Sequence, residues 1–164
     1  MRAAWITALI TFGLDQVSKL AVVQGMDLIN RGEVDIWPPF LVFRMAWNRG
    51  INFGLFAGDT EAVRWGIVAI SLVISVWVWI WIRRSQPGRL AQISAGLLVG
   101  GALGNVIDRI WYGAVADFLN MSCCGFENPY AFNVADIAIF AGAFGLVLFT
   151  GKPAPASKNR AKKG

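Results

Sequence analysis

Leu90-Ala-Gln-Ile-Ser-Ala-Gly-Leu-Leu-Val-Gly-Gly-Ala-Leu-Gly-Asn-Val-Ile-Asp-Arg-Ile-Trp-Tyr112 is the stretch that decides the fold. It is long enough to cross a bilayer, which takes about 20 largely apolar residues. Gly96, Gly100 and Gly104 fall four apart, so on a helix they form one stripe that lets a second helix approach closely. Its charges, Asp108 and Arg109, lie with Asn105 at one end. Amide and carboxyl groups at that depth must find partners.

Working outward, the whole chain has this character. It has 164 residues, 56% hydrophobic and only 15% charged, against about a quarter charged in soluble domains. Mean hydropathy is +0.54. Four segments read as spans, at about 3–23, 64–82, 90–112 and 133–150. The prediction is an all-α integral membrane protein: a four-transmembrane-helix bundle forming a single domain over 1–150. Outer loops cover 24–63 and 113–132. In the first of them Leu41–Trp47 favours β structure, and Gly50, Gly54 and Gly58 punctuate the residues after it. A small β-rich subdomain on the outer membrane surface is expected there, with Trp37 and Trp47 at headgroup level. The first segment also has the start of a secretory signal, Arg2 before apolar residues 3–14. Asp15, Gln16, Ser18 and Lys19 come at once with no small-x-small cleavage site, so it reads as a span.

Lys and Arg placement sets the orientation. Arg83, Arg84 and Arg89 fill the link between spans two and three, whereas 113–132 has no Lys or Arg. Lys152, Lys158, Arg160, Lys162 and Lys163 crowd the tail, 151–164, which reads as a disordered cytoplasmic extension. Both termini are therefore placed in the cytoplasm. The net charge of +5 serves orientation and contact with anionic lipid, not nucleic acid.

The chain contains no histidine, which removes His-based nucleophilic triads and His-ligated metals. The remaining route to hydrolysis is two carboxyl groups sharing a proton. Thr7, Thr11, Asp15 and Ser18 share one helical face. Asp15 lies about 18 Å along the helix from Ala3, and Lys19 is placed one turn on to pair with it. Asn133 suits a helix N-cap and Asp136 the third position of a capping box. Asp117 sits among apolar neighbours with no capping pattern behind it. These acids gather near one plane, the outer surface, where a proton-coupled transporter would spread them through the depth. A non-catalytic assembly subunit, with Asp15–Lys19 and Asp108–Arg109 as helix glue, is the other rival. Cys123 and Cys124 are adjacent, too close for an ordinary disulfide, and read as thiols without a chemical role.

Five motifs together resemble the lipoprotein signal peptidases, or signal peptidase II. They are Leu14-Asp-Gln-Val-Ser-Lys19, Asn48-Arg-Gly-Ile-Asn-Phe-Gly54, Gly101-Ala-Leu-Gly-Asn-Val-Ile-Asp-Arg109, Val115-Ala-Asp-Phe118 and Phe132-Asn-Val-Ala-Asp136. Each alone is weak; in this order they cover almost the whole chain. Two departures stand out: Gly50-Ile-Asn-Phe53 replaces Gly-Ala-Ala-Phe, and Val115-Ala-Asp-Phe118 replaces Val-Val-Asp-Phe. Neither removes a carboxylate. The resemblance implies an aspartic endopeptidase of the bacterial inner membrane. It would cut diacylglyceryl-modified prolipoproteins on the amino side of the lipidated cysteine, as a monomer without metal or cofactor. It implies Asp117 and Asp136 as the catalytic pair. Asp15, Lys19, Asn48, Gly50, Asn105, Asp108, Arg109 and Asn133 would be supporting or substrate-facing positions.

Overall fold

The computed structural model describes residues 1–50 and 60–150. The chain opens with helix α1 (Arg2–Lys19), which continues into a π-helical turn (Leu20–Gly25) and then a single turn, α2 (Leu28–Arg31). Strands β1 (Glu33–Trp37) and β2 (Leu41–Asn48) come next. Helices α3 (Thr60–Ser85) and α4 (Arg89–Tyr112) form a long hairpin, then come strand β3 (Val115–Asn120) and helix α5 (Val134–Thr150). Three stretches are long and apolar enough to cross a membrane: Arg2–Gly25, Glu61–Ser85 and Arg89–Tyr112. The 17-residue α5 is also apolar but shorter.

Helix α4 is the axis of the bundle, and its glycines explain why. A Cβ on Gly96 would stand 2.6 Å from the Ala4 carbonyl oxygen, and one on Gly100 2.5 Å from that of Ala8. That stripe seats α1. Gly101 faces the other way, where a Cβ would stand 2.5 Å from the Ala135 carbonyl oxygen of α5. Helix α5 reciprocates with Gly142, whose Cβ would meet the Leu98 amide nitrogen at 2.5 Å. Backbone-to-backbone contact of this kind supplies dispersion where lipid removes the hydrophobic drive between helices. Helix α3 packs through ordinary side chains, Val78 and Ile82 against Ala95 and Val99. Trp5 meets Trp79 edge-on at 4.4 Å, joining α1 to α3. The outward faces carry Leu9, Trp77 and Phe140 in the open, as a surface meant for hydrocarbon does.

The sheet departs from the expected one. It is antiparallel in the order β1-β2-β3, and its third strand comes from the segment 113–132, where the sequence predicts no strand. Ala46 pairs with Asp117 and Asn48 with Val115. Val115, Ala116, Asp117 and Phe118 are all buried, so the alternation that announces a strand is missing. Gly113, with φ +77°, caps α4 and turns the chain into this strand. Ala116 and Phe118 pack on Val22, Val23 and Leu28, so the sheet rests on the π-helical end of α1. Helix bounds shift modestly from those expected: α3 begins at Thr60 and ends at Ser85. Ile51, Asn52, Gly54, Gly58 and the basic tail lie outside the described residues.

Candidate active site

Four polar side chains meet where β3, the start of α5 and the end of α4 converge. At their centre is Asn133, fully buried. Its side-chain oxygen accepts a hydrogen bond from the Asp136 amide at 2.9 Å, and its backbone amide donates to Asp136 Oδ2 at 3.1 Å. These two bonds are the reciprocal capping box that the Asn133–Asp136 spacing predicts. The cap leaves the Asn133 side-chain NH2 available for a second task. It donates to Asp117 Oδ1 at 2.6 Å and to Asn105 Oδ1 at 3.2 Å. One residue therefore caps α5 and ties both carboxylates together.

Each carboxylate has a further donor. Asn105 Nδ2 donates to Asp136 Oδ1 at 2.9 Å. Asn48 Nδ2, at the end of β2, donates to Asp117 Oδ2 at 3.1 Å. Asn48 is aimed by Gly50, whose amide donates to Asn48 Oδ1 at 3.1 Å. Gly50 has φ +123°, a conformation other residues rarely adopt, so the glycine is required by the turn that orients the asparagine.

Behind this cluster lies a buried ionic lattice. Lys19 Nζ reaches Asp15 Oδ2 and Asp108 Oδ2 at 2.8 Å each, and donates to Asn105 Oδ1 at 3.2 Å. All three ammonium hydrogens are thereby used. Asp15 Oδ1 accepts from the Ala135 amide at 2.9 Å, where the helix dipole of α5 favours negative charge. Asp108 Oδ2 also accepts from the Ala116 amide at 3.2 Å, beside Asp117 on β3. The lattice thus grips both elements that carry the acid pair. The expected Asp15–Lys19 pair is present. The expected Asp108–Arg109 pair is not, because adjacent helical positions point apart and Lys19 takes Asp108 instead. Arg109 Nη1 donates to the Asn105 carbonyl at 3.1 Å, its Nε is buried without a hydrogen-bond partner, and its charge acts on Asp117 and Asp136.

Two contributors escape a reading by pattern. Gln16 Nε2 bridges Asp15 Oδ2 and Asp108 Oδ1, both at 3.1 Å. Gly104 is more than packing, since a Cβ there would stand 2.5 Å from Asp15 Oδ2. The only signal for either is position: Gln16 stands beside Asp15, and Gly104 beside Asn105.

The electrostatics separate Asp117 from an ordinary surface acid. Burial, reinforced by the charge of Asp136, pushes its carboxyl up to about 6, against the opposing bonds from Asn48 and Asn133. A carboxyl poised there can hold or release a proton near neutral pH. Among the described residues, no group of three His, Cys, Asp or Glu side chains is placed to hold a metal ion.

Known proteins are similar to this chain in sequence and in fold. The family model for signal peptidase (SPase) II matches residues 7–151. The lipoprotein signal peptidase of Methylorubrum extorquens (strain PA1) is 45% identical over 94% of this chain and 88% of its own length. That of Rhodopseudomonas palustris (strain TIE-1) is 40% identical over 96% of this chain and 97% of its own. A bacterial membrane enzyme solved by the in meso method at 1.9 Å resolution superposes with a TM-score of 0.78. At 24% identity, covering 94% of this chain and 96% of that one, it speaks for the fold. With the family model spanning nearly the whole chain, this protein is a peptidase belonging to the signal peptidase II family.

Proposed function

We propose that the chain removes signal peptides from lipid-modified prolipoproteins, cutting on the amino side of the diacylglyceryl-cysteine, with Asp117 and Asp136 as the catalytic pair. The observation that carries the assignment is Asn133, whose side-chain NH2 donates to the Asp117 carboxyl while its backbone amide donates to that of Asp136. Two acids held this close ionise one at a time. The ionised member takes a proton from water, the water attacks the scissile carbonyl, and the protonated member hydrogen-bonds the carbonyl oxygen as charge develops. The pair titrates as a unit, so neither aspartate is assigned one role. Asn48, Asn105 and Asn133 position the carboxyls. Asp15, Lys19 and Asp108 hold the elements that carry them, and Gly50 aims Asn48. Arg109, unpaired with Asp108, is a contact for substrate backbone or lipid headgroup.

In this reading the chain is a monomeric domain over 1–150 in the bacterial inner membrane. Helix α5 serves as a fourth span; 17 residues reach about 25 Å, near the lower limit for crossing. Both termini face the cytoplasm, and the acid pair lies by the outer leaflet, where an acylated cysteine is anchored. The sheet lies over it. The transporter and assembly-subunit readings lack support, since the family is one of peptidases.

The test is incubation of purified protein with a lipidated prolipoprotein. Asp117→Asn and Asp136→Asn should each stay folded and lose at least about a hundredfold in cleavage rate. Cleavage at the native rate by either variant would remove the acid-pair assignment.

A further inference from the structure

At the same end of the bundle, the first turns of α3 and the last residue of α4 enclose a hollow of about 230 Å³ lined by Arg49, Glu61, Arg64, Tyr112 and Gly113. The peptidase reading gives its four side chains no task. Among the described residues that line it, two guanidinium groups face one carboxylate, an excess of positive charge. Arg64 Nη1 is 2.7 Å from Glu61 Oε1, yet Arg64 Nε is buried without a hydrogen-bond partner. A buried N–H left unpaired is costly and invites an acceptor.

The hollow is built, not incidental. Arg49 is brought to α3 by its neighbour Gly50, where a Cβ would stand 2.7 Å from Ile67 Cδ1 and 3.5 Å from Val63 Cγ1. A side chain there would have to push the flexible end of Ile67 aside and would also be strained by the φ of +123°. The Arg64 guanidinium lies over the Trp65 ring, 4.8 Å from its centroid, which limits where it can swing. Gly113, whose φ of +77° favours glycine, brings the backbone beside the guanidinium, where a Cβ would stand 3.4 Å from Arg64 Nη1. Tyr112 lines the hollow, and its ring leans on Trp47 at 5.7 Å. Trp65 and Trp111, both exposed, neighbour these residues on α3 and α4, as aromatic residues do at headgroup level.

We infer that this hollow binds a phosphate group, with Arg49 and Arg64 as donors. Guanidinium forks match phosphate oxygens in pairs. Its place at the end of the spans makes the headgroup of an anionic phospholipid the natural source, and free phosphate the other. Glu61 weakens the site by repulsion and by holding Arg64 Nη1. The inference rests on the protein's residence in a membrane and is independent of the peptidase reading.

The experiment is native mass spectrometry of the full chain in detergent, titrated with phosphatidylglycerol or with diacylglycerol of the same acyl chains. Phosphatidylglycerol should be retained and diacylglycerol lost. Arg64→Gln should weaken retention about tenfold or more, as expected for a charged hydrogen-bonding partner. Glu61→Gln should retain the lipid at least as well as the native chain, an outcome a merely structural ion pair would not give. Competition by inorganic phosphate at constant ionic strength should release the lipid. If phosphate binds with the same Arg64 dependence while the two lipids are retained alike, the ligand is free phosphate and the lipid source is wrong. Should Arg64→Gln fail to fold, Arg49→Gln replaces it, since Arg49 is exposed. Equal retention by the native chain and both arginine variants, with no effect of phosphate, overturns the site.

Discussion

Asn133 shows how much one residue can be asked to do. Its side-chain oxygen caps α5 while its NH2 bridges to Asp117, so capping and site-building are not alternatives. Asn133→Ala should therefore act twice. Loss of the cap costs about 1 kcal/mol, and leaving Asp117 Oδ1 without its donor costs about 1–3 kcal/mol more. Thermal unfolding temperature and cleavage rate should both fall, and a variant with unchanged stability would contradict the bonding described. Asp117 makes a prediction of opposite sign. Its carboxyl stands near 6 when folded against about 3.9 in an unfolded chain. A raised acid binds more protons folded than unfolded, so the folded state loses stability as pH rises from about 4 and has lost it fully above about 6. That loss is about 2–3 kcal/mol. Asp117→Asn abolishes it but turns one NH2 toward that of Asn48, which returns about 1 kcal/mol. The variant should be inactive yet more stable than the native chain at pH 8 by about 1–2 kcal/mol, with the gain shrinking towards pH 4. Unfolding midpoints at both pH values check this, and a less stable variant at pH 8 would count against a buried, raised carboxyl.

Among the elements, α4 and β3 were legible to different degrees. Helix α4, Arg89–Tyr112, announces itself through its length and glycine spacing. Spacing did not separate its two glycine faces, because Gly100 and Gly101 serve different partners and only packing tells them apart. Gly101→Ala would press on Ala135, the residue before Asp136. It should cost about 1–3 kcal/mol by overpacking and also slow cleavage by displacing the start of α5. Gly104 belongs to the same stripe as Gly96 and Gly100, yet Gly104→Ala would press directly on the Asp15 carboxylate and should lower the unfolding temperature too. Strand β3 was not legible: an apolar run buried on both faces has no period of two, and its partner β2 lies about seventy residues away in sequence.

At the level of the whole molecule, the lattice around Lys19 ties α1, α4 and α5 into one body. Lys19→Met leaves two buried acids without their cation, and removing one partner of a buried pair costs about 3–5 kcal/mol. Unfolding measurements at low and high salt should show this loss undiminished by salt, because water does not reach the pair. Orientation has its own check: Cys123 and Cys124 are exposed on the connection between β3 and α5, and the chain has no other cysteines. A membrane-impermeant thiol reagent should label them from the outer side of intact cells stripped of their outer membrane, and labelling only from the cytoplasmic side would reverse the topology. Composition and the spacing of apolar runs determined by themselves that the chain is a membrane protein built of helices, because hydrocarbon admits few other structures. The order of the motifs determined the family. Tertiary structure alone decided that Lys19 takes Asp108, that Asn133 joins the two acids, and that the segments 24–63 and 113–132 share one sheet. Those pairings link residues far apart in the chain, and only the close packing of helices around the α4 glycines brings them within hydrogen-bonding distance.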